Sequence, residues 1–204
     1  VIGDMSKKDR EQTFALAREA GGDVQFVEGN VASESNCQAW AQAAHDAWGR
    51  IDILVANAGA RVNGSLLDAT EEDWEIIINV NLKGVAYACK AVLPTMIKQQ
   101  SGAIAMISSA NAKVGRSGMP LYDATKAGVV SLEHGKDGIR VNAICPGFTL
   151  TDYHERRAAA RGISREQFRE GRDGYALLGR PAEPSQIASA VYFMASEDAS
   201  NVTG

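Results

Sequence analysis

The sequence lacks several features that would place it in a specialised class of protein. It contains no apolar run that approaches the roughly 20 residues of a membrane-spanning helix, so we expect none. It contains no internal repeat and no low-complexity linker, which excludes collagen-like, coiled-coil and disordered chains. Positive charge is not in excess either, because 21 Lys and Arg residues stand against 25 Asp and Glu residues, for a net charge of −4. That balance argues against a nucleic-acid partner.

Cysteine is scarce as well. Cys37, Cys89 and Cys145 are odd in number, widely separated and each set in an apolar context. This pattern predicts free thiols in the core of a protein from a reducing compartment, rather than a disulfide framework. The first residues resemble neither a signal peptide nor a transit peptide. These observations together predict a soluble, cytoplasmic protein.

What the sequence does contain is the composition of a globular protein, with 45% hydrophobic and 23% charged residues over 204 positions. That length predicts a single domain over residues 1–204. Short β-like runs alternate with amphipathic helical segments, and this alternation predicts an α/β fold with a doubly wound parallel sheet. Because the apolar runs are continuous, we expect strands that are buried on both faces. The predicted strands are 24–27, 51–55, 103–107 and 140–145, and the predicted helices are 6–20, 34–48, 70–100 and one from about 121.

Several helix ends carry capping signals. Ser33 and Thr70 each stand where an N-cap is expected, and acidic residues follow Thr70 in the first turn. Gly49 is expected to end the second long helix.

Polar or small residues follow each predicted strand. Since ligands of such sheets bind outside the carboxyl ends of the strands, we expect these residues to open onto one edge. They are Asp4, Asn30, Val31, Asn57, Ala58, Gly59, Ser108, Ser109, Pro146 and Gly147.

Tyr122 and Lys126 are four residues apart, which places a phenol and an ammonium on one face of a helix. Ser109 lies thirteen residues upstream at the end of a predicted strand, and Asn81 lies on the preceding long helix. Together with the Asn-Ala-Gly and Pro-Gly segments, this ordered set resembles the short-chain dehydrogenase/reductase family, through nearly the whole chain. The alternative for Tyr122 and Lys126 is a solvated helix face with an aromatic contact.

The resemblance implies a Rossmann-type, three-layer α/β/α sheet, a nicotinamide cofactor and a catalytic tetrad of Asn81, Ser109, Tyr122 and Lys126. Free tyrosine is a poor base at neutral pH, so a nearby cation is needed to favour the phenolate. Lys126 would supply that charge and also hydrogen-bond the nicotinamide ribose. Ser109 would hold the substrate oxygen, and Asn81 would keep a helix locally open and anchor a water.

The resemblance also implies the cofactor contacts. Asp4 stands where an acidic residue grips the adenosine ribose and repels a 2′-phosphate, which favours NAD over NADP, although Lys7 or Lys8 could pair with a phosphate. Asn30 and Val31 resemble the pair that meets the adenine ring. Ala56 departs from the family's usual asparagine in front of Asn57, Ala58 and Gly59. The residues that resemble the loop holding the nicotinamide carboxamide are Pro146, Gly147, Phe148, Thr149 and Thr151.

The sequence departs from the family pattern at three places, each of which lacks a segment that the family has. The first strand with its glycine-rich phosphate-binding turn is absent, and so is the final strand. The helix that carries Lys126 is short, with the departure near Leu132 and Glu133. We therefore expect the sequence to be the ordered part of a longer protein. The histidines, in contrast, carry no ligand spacing, so we predict no metal site at His45, His134 or His154.

The favoured function is an NAD(H)-dependent oxidoreductase that interconverts a secondary alcohol and a ketone, with Tyr122 as the acid/base. One alternative is an NADPH-dependent 3-oxoacyl carrier-protein reductase, against which Asp4 argues. An alternative of another class is a catalytically silent nucleotide-binding scaffold. The charged residues 152–172 form either a mobile segment over the site or a solvated helical excursion, and 150–175 is the predicted substrate-site lid. The family's long helices imply a homo-oligomer, either a dimer or a tetramer, of which the homotetramer is favoured.

Overall fold

The computed structural model describes residues 1–6, 10–115, 117–129, 135–170 and 178–204. Lys7, Lys8, Leu132, Glu133 and His134, which entered the predictions above, lie outside the described residues, as do lid residues 171–175. The strands are β1 (Ile2–Asp4), β2 (Phe26–Glu28), β3 (Ile53–Ala56), β4 (Gly102–Ile107) and β5 (Ile139–Ile144). The α-helices are α1 (Arg10–Glu19), α2 (Glu34–Trp48), α3 (Glu71–Ile78), α4 (Gly84–Gln99), α5 (Pro120–Gly128), α6 (Asp152–Ala159), α7 (Arg165–Glu170) and α8 (Pro184–Ala195).

Every strand pairing in the described part of the chain is parallel. β1 pairs with β2, and β3, β4 and β5 form a second sheet in that order. A helix lies between each pair of consecutive strands, as parallel connections require. The predicted α/β fold with a parallel sheet is therefore confirmed, with its described strands divided between two sheets.

The alternating residues of β5 show that the larger sheet is covered on both faces. Ile139 and Val141 belong to the same core cluster as residues of α2 and α4. The intervening Arg140 and Asn142 point the other way and donate hydrogen bonds to carbonyls of residues 194–202, at and after the end of α8. This arrangement is the three-layer α/β/α order that the resemblance implies. The helix α8 itself was not predicted.

The expectation that all strands are buried on both faces is wrong for β3. Ile53 is 51% exposed and Val55 is 44% exposed, whereas Ala56 is 8% exposed. In the described residues β3 hydrogen-bonds to β4 alone, so it lies at an edge of its sheet. β4 fits the expectation, because Ala103 to Met106 are all buried.

The predicted helix over 70–100 exists but is not uniform. Thr70 begins it with a reciprocal capping box to Asp73, as the sequence predicts. A π-helical segment, Asn79–Lys83, then joins α3 to α4, and the Gly84 N–H donates five residues back to the Asn79 carbonyl.

The same helical stretch qualifies the sequence-based exclusion of a membrane span. Glu71–Gln99, with 29 residues and a mean hydropathy of 1.4 over its most apolar window, is long and apolar enough to cross a membrane by length and composition alone. Its Ile77, Val85 and Met96 are buried within the protein. Buried residues of this kind are typical of a helix that packs in the core of a protein.

Smaller corrections concern caps and thiols. Ser33 is the N-cap residue of α2 but its side chain makes no capping bond, while Gly49 ends α2 in the left-handed conformation, as predicted. Cys37 and Cys89 are buried, and burial raises the pKa of Cys89 to about 11. Cys145 is exposed, so the prediction of a core thiol is wrong there, because β5 ends one residue earlier.

Candidate functional site

The site is built where β4 ends. Ser108 and Ser109 follow the strand, and the buried Ser108 hydroxyl donates to the Lys126 carbonyl of α5 at 2.6 Å. Ser109 begins a 3₁₀ turn, and its hydroxyl accepts from the Asn111 N–H at 3.2 Å. Asn111 in turn donates to the Asp123 carboxylate at 2.8 Å. Two hydrogen bonds therefore fasten α5, with Tyr122 and Lys126, to the end of β4.

The Lys126 side chain is buried although it carries a charge, with 3% of the residue's surface exposed. Its Nζ donates to the Ile107 carbonyl at 2.6 Å and lies 5.8 Å from the centre of the Tyr122 ring. Burial, together with the positive charge of Arg61, lowers the pKa of Lys126 to about 8. The structure thus brings Tyr122 and Lys126 together, and it favours this arrangement over the solvated helix face.

Asn81 lies in the π-helical segment and is fully buried. Its Oδ1 accepts from the Ala60 N–H at 2.7 Å, and its Nδ2 donates to the Ala60 carbonyl at 3.1 Å. Nδ2 also donates to the Thr125 hydroxyl at 3.1 Å. The Asn81 amide therefore holds the loop that follows Asn57, Ala58 and Gly59 against α5. The sequence analysis did not predict the contact with Thr125.

Ser109 is brought to the same edge but is not bonded to the other predicted tetrad members. In the described part of the structure its hydroxyl accepts from the Asn111 backbone N–H. Its role toward substrate stays a prediction.

Arg61 is a residue of the site that the sequence analysis missed. Its guanidinium carbon lies 5.5 Å from the centre of the Tyr122 ring and 5.9 Å from that of Tyr153. Its NH1 donates to His154 Nε2 at 3.2 Å, while Thr151 Oγ1 lies 2.9 Å from His154 Nδ1. Because arginine can only donate, Nε2 accepts and the proton of this imidazole sits on Nδ1. The only sequence signal for Arg61 was its position two residues after Gly59.

The predicted adenosine contacts lie at the ends of β1 and β2. Asp4 is exposed, with Oδ1 accepting from the Ser6 N–H at 2.9 Å. The Asn30 carboxamide accepts from the Ala32 N–H at 2.9 Å. Val31 packs closely on the helix start at Gly84, where an added Cβ would come within 2.9 Å of the valine side chain.

The predicted nicotinamide contacts follow β3 and β5. Asn57, Ala58 and Gly59 are exposed, and a Cβ built on Gly59 would lie 3.6 Å from both Lys126 Nζ and Asn81 Oδ1. The loop after β5 is held by bonds between Phe148, Leu150 and Ala182. Within it, the Pro146 carbonyl accepts from Ala110 N–H, Gly147 is exposed, and the Thr149 hydroxyl donates to the Gly147 carbonyl. Phe148 and Thr151 both contact His154.

The hydrogen-bonding capacity of Lys126 shows that the site fits a nicotinamide cofactor. An ammonium carries three N–H donors, and in the described structure Lys126 gives one of them to Ile107. Two donors on a buried cation therefore remain for a ligand beside the open face of Gly59. Hydroxyls of a ribose are suitable acceptors there, and Asp4 is suited to the ribose at the other end. No group of three His, Cys, Asp or Glu side chains within the described ranges could hold a metal ion.

Comparisons with known proteins give the family. The profile of the family described as Enoyl-(Acyl carrier protein) reductase matches residues 1–204. A 3-oxoacyl-[acyl-carrier-protein] reductase FabG of Thermotoga maritima is 36% identical over 210 residues, which cover 100% of this chain and 82% of that protein.

Solved structures agree in fold. The crystal structure of levodione reductase superimposes with a TM-score of 0.89 at 29% identity, over 98% of this chain and 82% of that one. The structure of ElxO with NADP bound gives a TM-score of 0.87 at 25% identity, over 99% and 83%. The chain therefore belongs to the short-chain dehydrogenase/reductase family of oxidoreductases.

Proposed function

We propose that the protein is an NAD(H)-dependent oxidoreductase that interconverts a secondary alcohol and a ketone, with Tyr122 as the general acid/base. The observation that carries the proposal is the buried Lys126, held beside the Tyr122 ring with two of its three N–H donors unused by the described protein. Burial lowers the pKa of this ammonium, so the fold holds the cation at an energetic cost. Its position is explained if it acts on the phenol and on a ligand.

The roles of the residues follow from their chemistry. The nicotinamide cofactor, when bound, supplies or accepts the hydride. The Tyr122 hydroxyl gives a proton to the carbonyl oxygen in reduction and takes one from the alcohol in oxidation. Lys126 stabilises the phenolate electrostatically, and Ser109 donates a hydrogen bond to the substrate oxygen. Asn81 is a positioning residue, because its amide is bonded to Ala60 and Thr125.

The preference for NAD rests on Asp4. Its carboxylate is exposed at the carboxyl end of β1, where it would accept hydrogen bonds from ribose hydroxyls and repel a 2′-phosphate. The ElxO structure, with NADP bound, shows that a similar fold can carry the phosphorylated cofactor. The proposed preference for NAD over NADP therefore depends on Asp4 of this chain.

An NADPH-dependent 3-oxoacyl carrier-protein reductase is the second candidate, favoured by the 36% identity to a protein of that name. The two candidates differ in both cofactor and substrate. Initial rates with NADH and NADPH, each measured with a free ketone and with a 3-oxoacyl thioester, separate them.

The test of the proposed acid/base is Tyr122→Phe, which keeps the ring and removes the hydroxyl. General acid–base catalysis is worth about 10²- to 10⁴-fold, so turnover should fall by at least that much. Binding of NADH, followed by its fluorescence, should persist. Tyr192→Phe is the matched control, since Tyr192 is 75% exposed on α8, a helix that carries none of the proposed site residues. Near-normal turnover of Tyr122→Phe would assign the proton transfer to another group.

The same proposal includes the organisation of the protein. Residues 1–204 form a single cofactor-binding domain of a cytoplasmic homotetramer. Residues 150–175 act as the substrate-site lid, of which the described part, 150–170, contains the helices α6 and α7.

A further inference from the structure

Arg61 is a cation placed directly at the reaction centre. The backbone of the preceding residue, Ala60, is held on both its N–H and its carbonyl by the buried Asn81 amide. The Arg61 guanidinium carbon lies 5.5 Å from the centre of the Tyr122 ring. The loop that carries this charge is therefore fixed relative to the phenol.

Most of the hydrogen-bonding capacity of Arg61 is unused. A guanidinium has five N–H donors, and one of them is given to His154 Nε2. The contacts with the rings of Tyr122 and Tyr153 engage the faces of the aromatic rings and not a hydrogen-bond acceptor. Within the described ranges no carboxylate pairs with Arg61, whereas Arg50, Arg165 and Arg169 each have an acidic partner. Arg61 is exposed, so a ligand can reach its remaining donors.

Two other positive charges, those of Lys126 and Arg157, lie near Arg61. Its charge is one of the two causes that lower the pKa of Lys126. Arg157, on α6, also contacts Tyr153, with its guanidinium carbon 5.6 Å from that ring centre and its NH1 donating to the Tyr153 hydroxyl at 2.9 Å. An anion placed at Arg61 would satisfy free donors and offset the repulsion between Arg61 and Lys126.

We propose that Arg61 determines specificity by binding the carboxylate of the substrate, so that the enzyme acts on short oxo acids and the corresponding hydroxy acids. This proposal rests on the proposed function, and it names the substrate class. Because the guanidinium lies over the ring whose hydroxyl meets the carbonyl, the carboxylate must be only a few carbons from that carbonyl. 2-Oxo and 3-oxo acids meet this condition.

The carboxylate is unchanged by the reaction. The ketone carbon gains a hydride from reduced nicotinamide, which becomes oxidised, and the carbonyl oxygen gains the proton of the Tyr122 hydroxyl. The Tyr122 proton is then restored from solvent. Arg61 binds the same carboxylate in substrate and product.

The experiment compares each acid with its own methyl ester, which keeps the carbonyl and removes the charge. Values of kcat/KM for 2-oxo and 3-oxo acids of four to six carbons, and for their esters, are measured with the wild type and with Arg61→Gln. A hydrogen bond to a charged group is worth about 10- to 100-fold in affinity, so the acid-to-ester preference of the wild type should fall by that factor in Arg61→Gln. Arg61→Lys should retain part of the preference.

Arg157→Gln is the matched control, because it removes the same charge from the same region. The acid-to-ester ratio should fall much less than in Arg61→Gln, since the Arg157 guanidinium already donates to the Tyr153 hydroxyl. An unchanged ratio in Arg61→Gln overturns the proposal. The ratio is also unchanged if Arg61→Gln slows acids and esters by the same factor, and Arg61 would then act through Tyr122 and not on the substrate.

Direct binding separates this proposal from the proposed function. The affinity of the cofactor-free protein for 3-hydroxybutanoate and for its methyl ester is measured by calorimetry, a readout that needs no turnover. Binding of the acid that is lost in Arg61→Gln supports the anion site even if no alcohol or ketone is turned over. Turnover of neutral ketones, with no preference for acids in binding or rate, leaves the oxidoreductase standing and overturns the role of Arg61.

Discussion

Lys126 should leave a signature in the stability of the cofactor-free protein that is independent of any substrate. Burial and the charge of Arg61 lower its pKa from 10.5 to about 8. Each pKa unit corresponds to 1.36 kcal/mol, so protonating Lys126 at neutral pH destabilises the folded state by about 3 kcal/mol relative to an exposed lysine. Lys126→Met removes the ionisation and keeps an apolar side chain of similar length.

The sign of the pH dependence follows from which state holds the proton. Below pH 8 both the folded and the unfolded chain are protonated at Lys126, and the full penalty is present. Between pH 8 and 10.5 the folded chain has lost this proton and the unfolded chain keeps it, so the free energy of unfolding rises with pH. Relative to Lys126→Met, the wild type should therefore gain about 3 kcal/mol between pH 7 and 10.5.

Urea unfolding at a series of pH values, at one protein concentration, measures this difference. Titrations of groups far from Lys126 are common to both proteins and cancel. Because Lys126 is proposed to act on the Tyr122 phenol, both proteins carry Tyr122→Phe in this comparison, which removes the contribution of that hydroxyl. Lys98→Met removes an exposed lysine of α4 and should give a curve parallel to that of the wild type. A free-energy difference between the wild type and Lys126→Met that does not change from pH 7 to 10.5 would refute the argument that burial of this ammonium is energetically costly.

Two further predictions concern cofactor choice and assembly. Asp4→Ser removes the exposed carboxylate at the end of β1, so the NADH-to-NADPH ratio of kcat/KM should fall by at least about tenfold, as one charged hydrogen bond implies; a wild type that already prefers NADPH would contradict the assignment. Light scattering across a dilution series should give the mass of four subunits, and a mass of one subunit at all concentrations would contradict the homotetramer.

Local signals were the most predictable part of the fold. Thr70 with Asp73, and Gly49 at the end of α2, stand where the sequence predicts them, because a capping motif needs only residues three or four positions apart. The order of β-like and helical segments likewise identified the parallel fold. These features are encoded within one element and its ends.

The missed features depend on distant parts of the chain. The contact between Arg61 and His154 joins residues 93 positions apart, and nothing in either local sequence indicates it. The exposure of Ile53 and Val55 reflects which strands lie beside β3, and an apolar run has the same appearance in an edge strand and in a central one. Similarly, Asn81 could be identified by resemblance, but its bonds to Ala60 and Thr125 required the structure.

The helices around the site differ greatly in how many of their residues are buried. The π-helical segment and α4 bury Asn81, Val85 and Met96, whereas α6 buries only Ala158 and α7 buries none of its residues. Segments with little buried surface open at a small fraction of the free energy of global unfolding. Backbone amides of α6 and α7 should therefore exchange with solvent through local openings in which the π-helical segment and α4 remain folded. If residues 150–175 act as the proposed lid, substrate entry depends on that local equilibrium, and a substitution that stabilises the core need not slow it.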